Sequence, residues 1–219
     1  MELHQIQANL LNPDFQYRLK AIAALKDYPS EVAVPILKQH IRDEEFLVRT
    51  FVAMGLGKQQ TSDSFAALLD LMKFDNTPNV RSQAANSLSL FGQISASHLV
   101  KTFIRDEHWL VRVSILGALV DLECAEELLE VCLCALAAED MSVQEAAIDA
   151  LGTLAGSRQH QAALCPLLAL KNSPSERIRV KVAYALPRFD EPEAKEALIQ
   201  LRADPVYRVV GAAMEDLLP

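Results

Sequence analysis

The chain has 219 residues, 51% of them apolar with only 7 glycines, and its 21 basic against 29 acidic side chains give a formal charge of −8. That balance opposes a phosphate backbone, whose affinity comes from neutralisation by Lys and Arg, and so argues against nucleic acid as a partner. No stretch reaches the roughly eighteen apolar residues of a membrane span. The start Met1-Glu2-Leu3-His4-Gln5 lacks the charged and apolar regions of a signal peptide. Cys124, Cys132, Cys134 and Cys165 are too irregularly placed for a secreted disulfide framework, so a cytoplasmic chain with reduced thiols is expected.

The predicted elements come in pairs, a helix A, a short turn and a helix B marked by an arginine. In the first pair helix A runs roughly over 2–11, and Asn12-Pro13-Asp14 turns into Phe15-Gln16-Tyr17-Arg18. Ser30 is expected to cap the second helix A, with Pro35 tolerable only near its first turn. Asp43-Glu44-Glu45 then leads into a helix B ending near Gly55-Leu56-Gly57. Ser62 or Asp63 opens the third helix A (Phe65 to Phe74), the turn is Asp75-Asn76-Thr77-Pro78-Asn79, and Gly92 closes its helix B.

The fourth pair runs from Ser95 to about Leu122, with Asp106 as the expected cap and Val111, Ile115, Leu116 and Leu119 on one helical face. The fifth begins at Glu123-Cys124, carries the most apolar helix A (Leu128 to Leu136) and ends at Gly152 to Gly156. Pro166 and the longer turn Lys171 to Glu176 predict irregularity in the sixth. The seventh, from Glu191 onward, has Glu215 and Asp216 where earlier copies have core leucine, as a terminal face without a neighbour requires.

Aligning the arginines sets the register. Arg18, Arg49, Arg81, Arg112, Gln144, Arg179 and Arg208 stand 31, 32, 31, 32, 35 and 29 positions apart. Seven residues after each come Leu25, Leu56, Leu88, Leu119, Leu151 and Leu186, and finally Glu215. A period near thirty residues that survives seven copies means a solenoid in which each unit contacts its neighbours. The expected fold is all-α, a right-handed α-α superhelix of seven two-helix repeats forming a single domain over 1–219.

The turn Asp followed by Val-Arg, Ala and Leu at helical spacing resembles the HEAT repeat. The short period and the phrase Asp75-Asn76-Thr77-Pro78-Asn79-Val80-Arg81-Ser82-Gln83-Ala84-Ala85-Asn86-Ser87-Leu88 resemble the phycobilisome-lyase class of HEAT-like repeats. This resemblance implies a non-catalytic binding scaffold, with phycobilisome or bilin-protein handling as the first specific expectation. A bilin lyase-type subunit attaching, detaching or isomerising a bilin is the alternative, and an adaptor for an IscA-type iron–sulfur carrier is a further one. The implied partner is a protein on the concave face, a phycobiliprotein or a second HEAT-repeat chain. The similar deoxyhypusine hydroxylase holds iron with His-Glu pairs, whereas the five histidines here precede Gln5, Ile41, Leu99, Trp109 and Gln161. No cofactor, metal ligand set or catalytic residue is expected.

Four groups of residues remain as candidates. The arginine column invites an anion-binding reading, but Asp43, Asp75 and Asp106 stand six positions before their arginines, and a neighbouring copy would bring Asp to Arg as a repeating ladder. Cys132 and Cys134 lie about 200° apart around a helix and cannot grip one ion, so buried thiols in the core are the favoured reading. On the outward face of the B helices, two and five residues after the arginine, Phe51, Met54, Gln83, Asn86, Asp149, Lys181 and Tyr184 are candidate partner contacts around small Ser114, Gly117 and Ala146. Phe51 and Met54 either line such a groove or fold back on a neighbouring helix. At the turns, Phe15, Phe46 and Trp109 stand beside acidic residues, an edge that suits a basic protein or simply packs the entry of each helix.

Overall fold

The computed structural model describes residues 1–217, without the side chain of Asp216, so the polar cap expected there lies outside the described residues; Glu215 is exposed. Among the described residues there are fourteen α-helices and no strand. They alternate as A and B helices: α1 (Leu3–Leu10) and α2 (Phe15–Ala24), α3 (Ser30–Gln39) and α4 (Phe46–Gln59), α5 (Ser62–Phe74) and α6 (Pro78–Ser89), and α7 (Ala96–Arg105) and α8 (Trp109–Asp121). The second half continues with α9 (Ala125–Leu136) and α10 (Met141–Thr153), α11 (His160–Leu170) and α12 (Glu176–Ala185), and α13 (Pro192–Leu201) and α14 (Tyr207–Met214). No helix among the described residues is long and apolar enough to cross a membrane.

Two compact units divide the chain, Met1–Ala118 and Leu119–Pro219. In the first, B helices pack on B helices (α2 on α4, α4 on α6) and A helices on A helices (α3 on α5, α5 on α7). In the second, α10 packs on α12 and α12 on α14, with α9 on α11 and α11 on α13. The seven-after column supplies the seam: Leu25, Leu56, Leu88, Leu119, Leu151 and Leu186 are all buried, each contributing about 1.5–3 kcal/mol of apolar transfer.

Side-chain caps start only some of the helices, and the cap of the third helix A is Thr61 rather than Ser62 or Asp63, which lie inside its first turn. The Asp14 carboxylate accepts from the Gln16 amide, Asp140 from Ser142 and Val143, and the Thr61 hydroxyl from Ser64. Ser30 caps nothing, since it is the first residue of α3 and Pro29 precedes it. Pro35 and Pro166 both sit inside continuous helices rather than in a first turn. The expected stop at Gly55-Leu56-Gly57 is also absent, because α4 runs on to Gln59 and ends at Gln60 in the left-handed conformation, φ 47°. Gly57 is a packing residue: a Cβ there would lie 2.7 Å from the Cβ of Ser87 on α6. Gly92, with φ 78°, does serve the expected turn after α6.

Candidate functional site

The arginines form the expected ladder, built from two kinds of hydrogen bond. Four of the guanidiniums reach forward to an aspartate of the following repeat, each with two parallel N–H donors. Arg18 meets Asp43 at 2.9 and 2.9 Å, Arg49 meets Asp75 at 2.7 and 3.0 Å, and Arg81 meets Asp106 at 2.6 and 3.1 Å. In the second unit Arg179 meets Asp204 at 2.7 and 3.0 Å. These four and Arg112 donate to the carbonyl six residues before them: Arg18 to Asn12, Arg49 to Asp43, Arg81 to Asp75, Arg112 to Asp106 and Arg179 to Ser173. Gln144 replaces the arginine yet keeps this bond, donating to the Ala138 carbonyl at 2.6 Å.

The aspartates are therefore shared. Their carboxylates take the preceding arginine, and Oδ1 also accepts the amide two residues on, from Glu45, Thr77, His108 and Val206. This corrects the reading of Asp106 as a helix cap. Its carboxylate is held one turn early, and the His108 ring receives the Leu110 amide at the start of α8 instead. Hydrogen bonding to the aspartate, against an opposing burial cost, raises the pKa of Arg18, Arg49 and Arg179. With carboxylates and carbonyls occupying the guanidiniums of Arg18, Arg49, Arg81 and Arg179, these four serve to tie repeat to repeat.

Hydrogen bonding to Arg179, partly offset by burial, holds the Asp204 carboxyl below its usual value. The unfolded chain is then the better proton binder in acid. The rung's contribution is full above the ordinary carboxylate value of about 3.9 and is lost as pH falls through the lower folded value. Thermal melts of Asp204→Asn are therefore expected to fall less steeply below about pH 4 than those of the parent chain.

The ladder is interrupted in the fifth repeat. Ala138 occupies the aspartate register and Gln144 the arginine register, and Ser173 follows where the next carboxylate would stand. Among the described residues Arg112 has no carboxylate partner; it lies over the Phe103 ring at 5.2 Å.

The two outward rows of the B helices differ. The row five after the arginine is exposed at Met54, Asn86, Gly117, Asp149 and Tyr184, with Met54 at 40% and Tyr184 at 47%. The row two after is half-buried at Phe51, Gln83, Ser114, Ala146 and Lys181, and at Ser114 and Lys181 it reaches the preceding B helix. Ser114 bonds Ser82 at 2.7 Å, Gln83 donates to Ser87 at 3.3 Å, and Lys181 reaches back to Asp149 at 2.6 Å. Phe51 thus partly folds back while Met54 stays out. At the turns Phe46 and Trp109 are exposed and Phe15 is half-buried, and Trp109 stacks on His108 with centroids 6.0 Å apart. Cys132 is fully buried and burial alone pushes its thiol up to about 12, whereas Cys134 and Cys165 are exposed; all four cysteines are free. The B-helix register carried no signal for the cations Lys73, Lys101 and Arg105, which border a cleft at the turns between the third and fourth repeats.

A family model described as HEAT repeats matches residues 5–89, 41–119 and 129–218. No curated protein matches the chain. Among solved structures, the complex of CpcE and CpcF of phycocyanin lyase from Nostoc sp. is similar over all of this chain and 95% of its own, at 19% identity and a TM-score of 0.55. YibA of E. coli is similar over 97% of this chain and 80% of its own, at 14% identity and a TM-score of 0.68. At these identities the likeness is one of fold, a helical superhelix of stacked pairs.

Proposed function

Because the chain belongs to the HEAT-repeat family, we propose that it is a non-catalytic scaffold whose exposed B-helix row docks a protein partner. The carrying observation is that Met54 and Tyr184 stand exposed on helices whose other faces are consumed by packing and by the ladder. Within its own unit each of these groups is held on a packed helix before any partner arrives, which lowers the ordering cost of binding. Asn86, Gln83, Asp149 and Lys181 supply polar contacts beside them, and Trp109 an aromatic one at the turn.

The partner is proposed to be a phycobiliprotein or a second HEAT-repeat chain, in phycobilisome or bilin-protein handling. What supports this is the likeness to a complex of two such chains in phycocyanin lyase, which extends over the whole of this sequence. The same likeness supports a second reading, a lyase-type subunit acting on a bilin. Mixing the chain with bilin and apo-phycobiliprotein separates the two: new covalent bilin absorbance marks the lyase, whereas stable binding without it marks the scaffold. Iron copurifying with an iron–sulfur carrier would displace both in favour of the carrier adaptor.

For the scaffold, Met54→Ala combined with Tyr184→Ala is expected to weaken the captured partner roughly 10- to 100-fold. Circular dichroism should show the melting temperature nearly unchanged, since both side chains are exposed. Full binding by the double variant would remove this row from the interface.

A further inference from the structure

The first unit carries a second surface, separate from the B-helix row. The end of α5, helix α7 and the turn into α8 frame a cleft of about 650 Å³. Its floor is spent: Arg81 and Asp106 hold each other, and the Asp75 carboxylate belongs to Arg49 and the Thr77 amide. Around that neutral floor stand Lys73, Lys101 and Arg105, all exposed and none with an ion pair or hydrogen bond among the described residues.

Lys101 and Arg105 are four apart on α7 and so share one side of the helix. Lys73 comes from the last turn of α5. The charges of Lys73 and Lys101 both reach His98, whose proton affinity is lowered first by burial and then by these two ammonium groups. Glu107 is the one acid of the lining outside a rung. Three unpaired cations on the walls of one cleft, in a chain of net charge −8, repel one another and contribute nothing to the fold that the ladder does not already supply.

Phe74 adds an apolar element. It is 76% exposed, next to Lys73, and borders both this cleft and a second one of about 700 Å³ toward the preceding repeat, whose lining sets Glu44 and Asp70 against Arg42, so the unpaired positive charge is confined to the first cleft. Neighbouring helices pack roughly 8–10 Å apart. That is about three residues of extended chain at roughly 3.3 Å each. A strand laid along this edge would therefore present successive side chains to one cleft, to the Phe74 ridge and to the next cleft.

We propose that this edge binds an acidic peptide segment, its carboxylates on Lys73, Lys101 and Arg105 and an aromatic or aliphatic side chain on Phe74. A free phosphate would satisfy one point of the cleft and leave both the opposite wall and the ridge unused. The spread of cations over two helices with a phenyl ring beside them fits alternating acidic and apolar side chains.

The test is fluorescence anisotropy of a labelled Asp- and Glu-rich peptide containing one Phe, against the full chain. Neutralising two cations in Lys101→Gln/Arg105→Gln is expected to weaken binding about 10-fold, and reversing all three in Lys73→Glu/Lys101→Glu/Arg105→Glu at least about 30-fold. Phe74→Ala, or Phe→Ala in the peptide, should cost about 5-fold. Melting temperatures should stay within a few degrees for every variant, because the altered side chains are exposed. A matched reversal elsewhere, Lys26→Glu/Lys58→Glu/Arg158→Glu, should weaken binding far less. The proposal is overturned by an absence of peptide binding, by equal losses in the cleft and control reversals, or by displacement of the peptide by inorganic phosphate at matched ionic strength.

Discussion

Asp75→Ala is expected to lower the melting temperature by roughly 6–12 °C, because it breaks a buried ion pair. The Asp75 side chain is 6% exposed and that of Arg49 10%. Removing the carboxylate leaves the guanidinium with the Asn76 and Thr77 side-chain oxygens and two backbone carbonyls, but with no counter-charge. It also frees the Thr77 amide, which donates to Asp75 at 2.8 Å. Breaking a buried pair costs about 3–5 kcal/mol, and the rung borders a cleft, so a value near 3 kcal/mol is expected. At about 2–4 °C per kcal/mol for a chain of this size, thermal melts followed by circular dichroism resolve the change easily. The exposed pair Arg177–Glu145 is the comparison: with the arginine 60% exposed, Arg177→Gln should change stability by at most about 1 kcal/mol. Equal shifts in the two variants would show that the ladder is an ordinary surface pairing.

Gly57→Ala should destabilise by about 1–3 kcal/mol, although alanine is the better helix former by nearly 1 kcal/mol. The added methyl would meet Ser87 at 2.7 Å from its Cβ, 2.9 Å from its Oγ and 3.2 Å from its Cα, so α4 and α6 must separate. Gly117 is the control within the same unit, since nothing lies within 4 Å of a Cβ built there. Gly117→Ala should therefore gain the propensity term and stabilise by about 0.5–1 kcal/mol in urea denaturation. Ser87→Gly combined with Gly57→Ala should recover part of the loss, because space returns at the same contact. A stabilising Gly57→Ala would mean that this approach of the helices is loose.

The repeat architecture and the ladder were legible because both are periodic. The offset of six between Asp43 and Arg49, repeated at Asp75 and Arg81, pointed to aspartate and arginine of neighbouring copies meeting, and the structure adds that the partner is the aspartate of the following repeat. Single positions within a repeat were less legible. Gly57 reads as a helix stop by residue type, and only the proximity of Ser87, thirty positions away, shows that it is a packing glycine. Phe51 and Met54 look alike as exposed apolar groups, yet the two-after row tucks toward the neighbouring helix and the five-after row does not. Lys73, Lys101 and Arg105 were invisible for a different reason. They lie on A helices, outside the arginine-based register, and converge only when α5 and α7 stack.

The sharing of Asp43, Asp75 and Asp106 between two arginines each bears on how the chain can grow or shrink over evolutionary time. A tandem copy of residues 44–75 would bring its own Arg49 and Asp75, so every new seam would close with the same pair of bonds as the old one. A copy of residues 107–138 would bring Arg112 with Ala138 and add a cation without its acid. Recombination can therefore lengthen the early repeats almost freely, whereas the fifth acts as a stop to expansion by slippage.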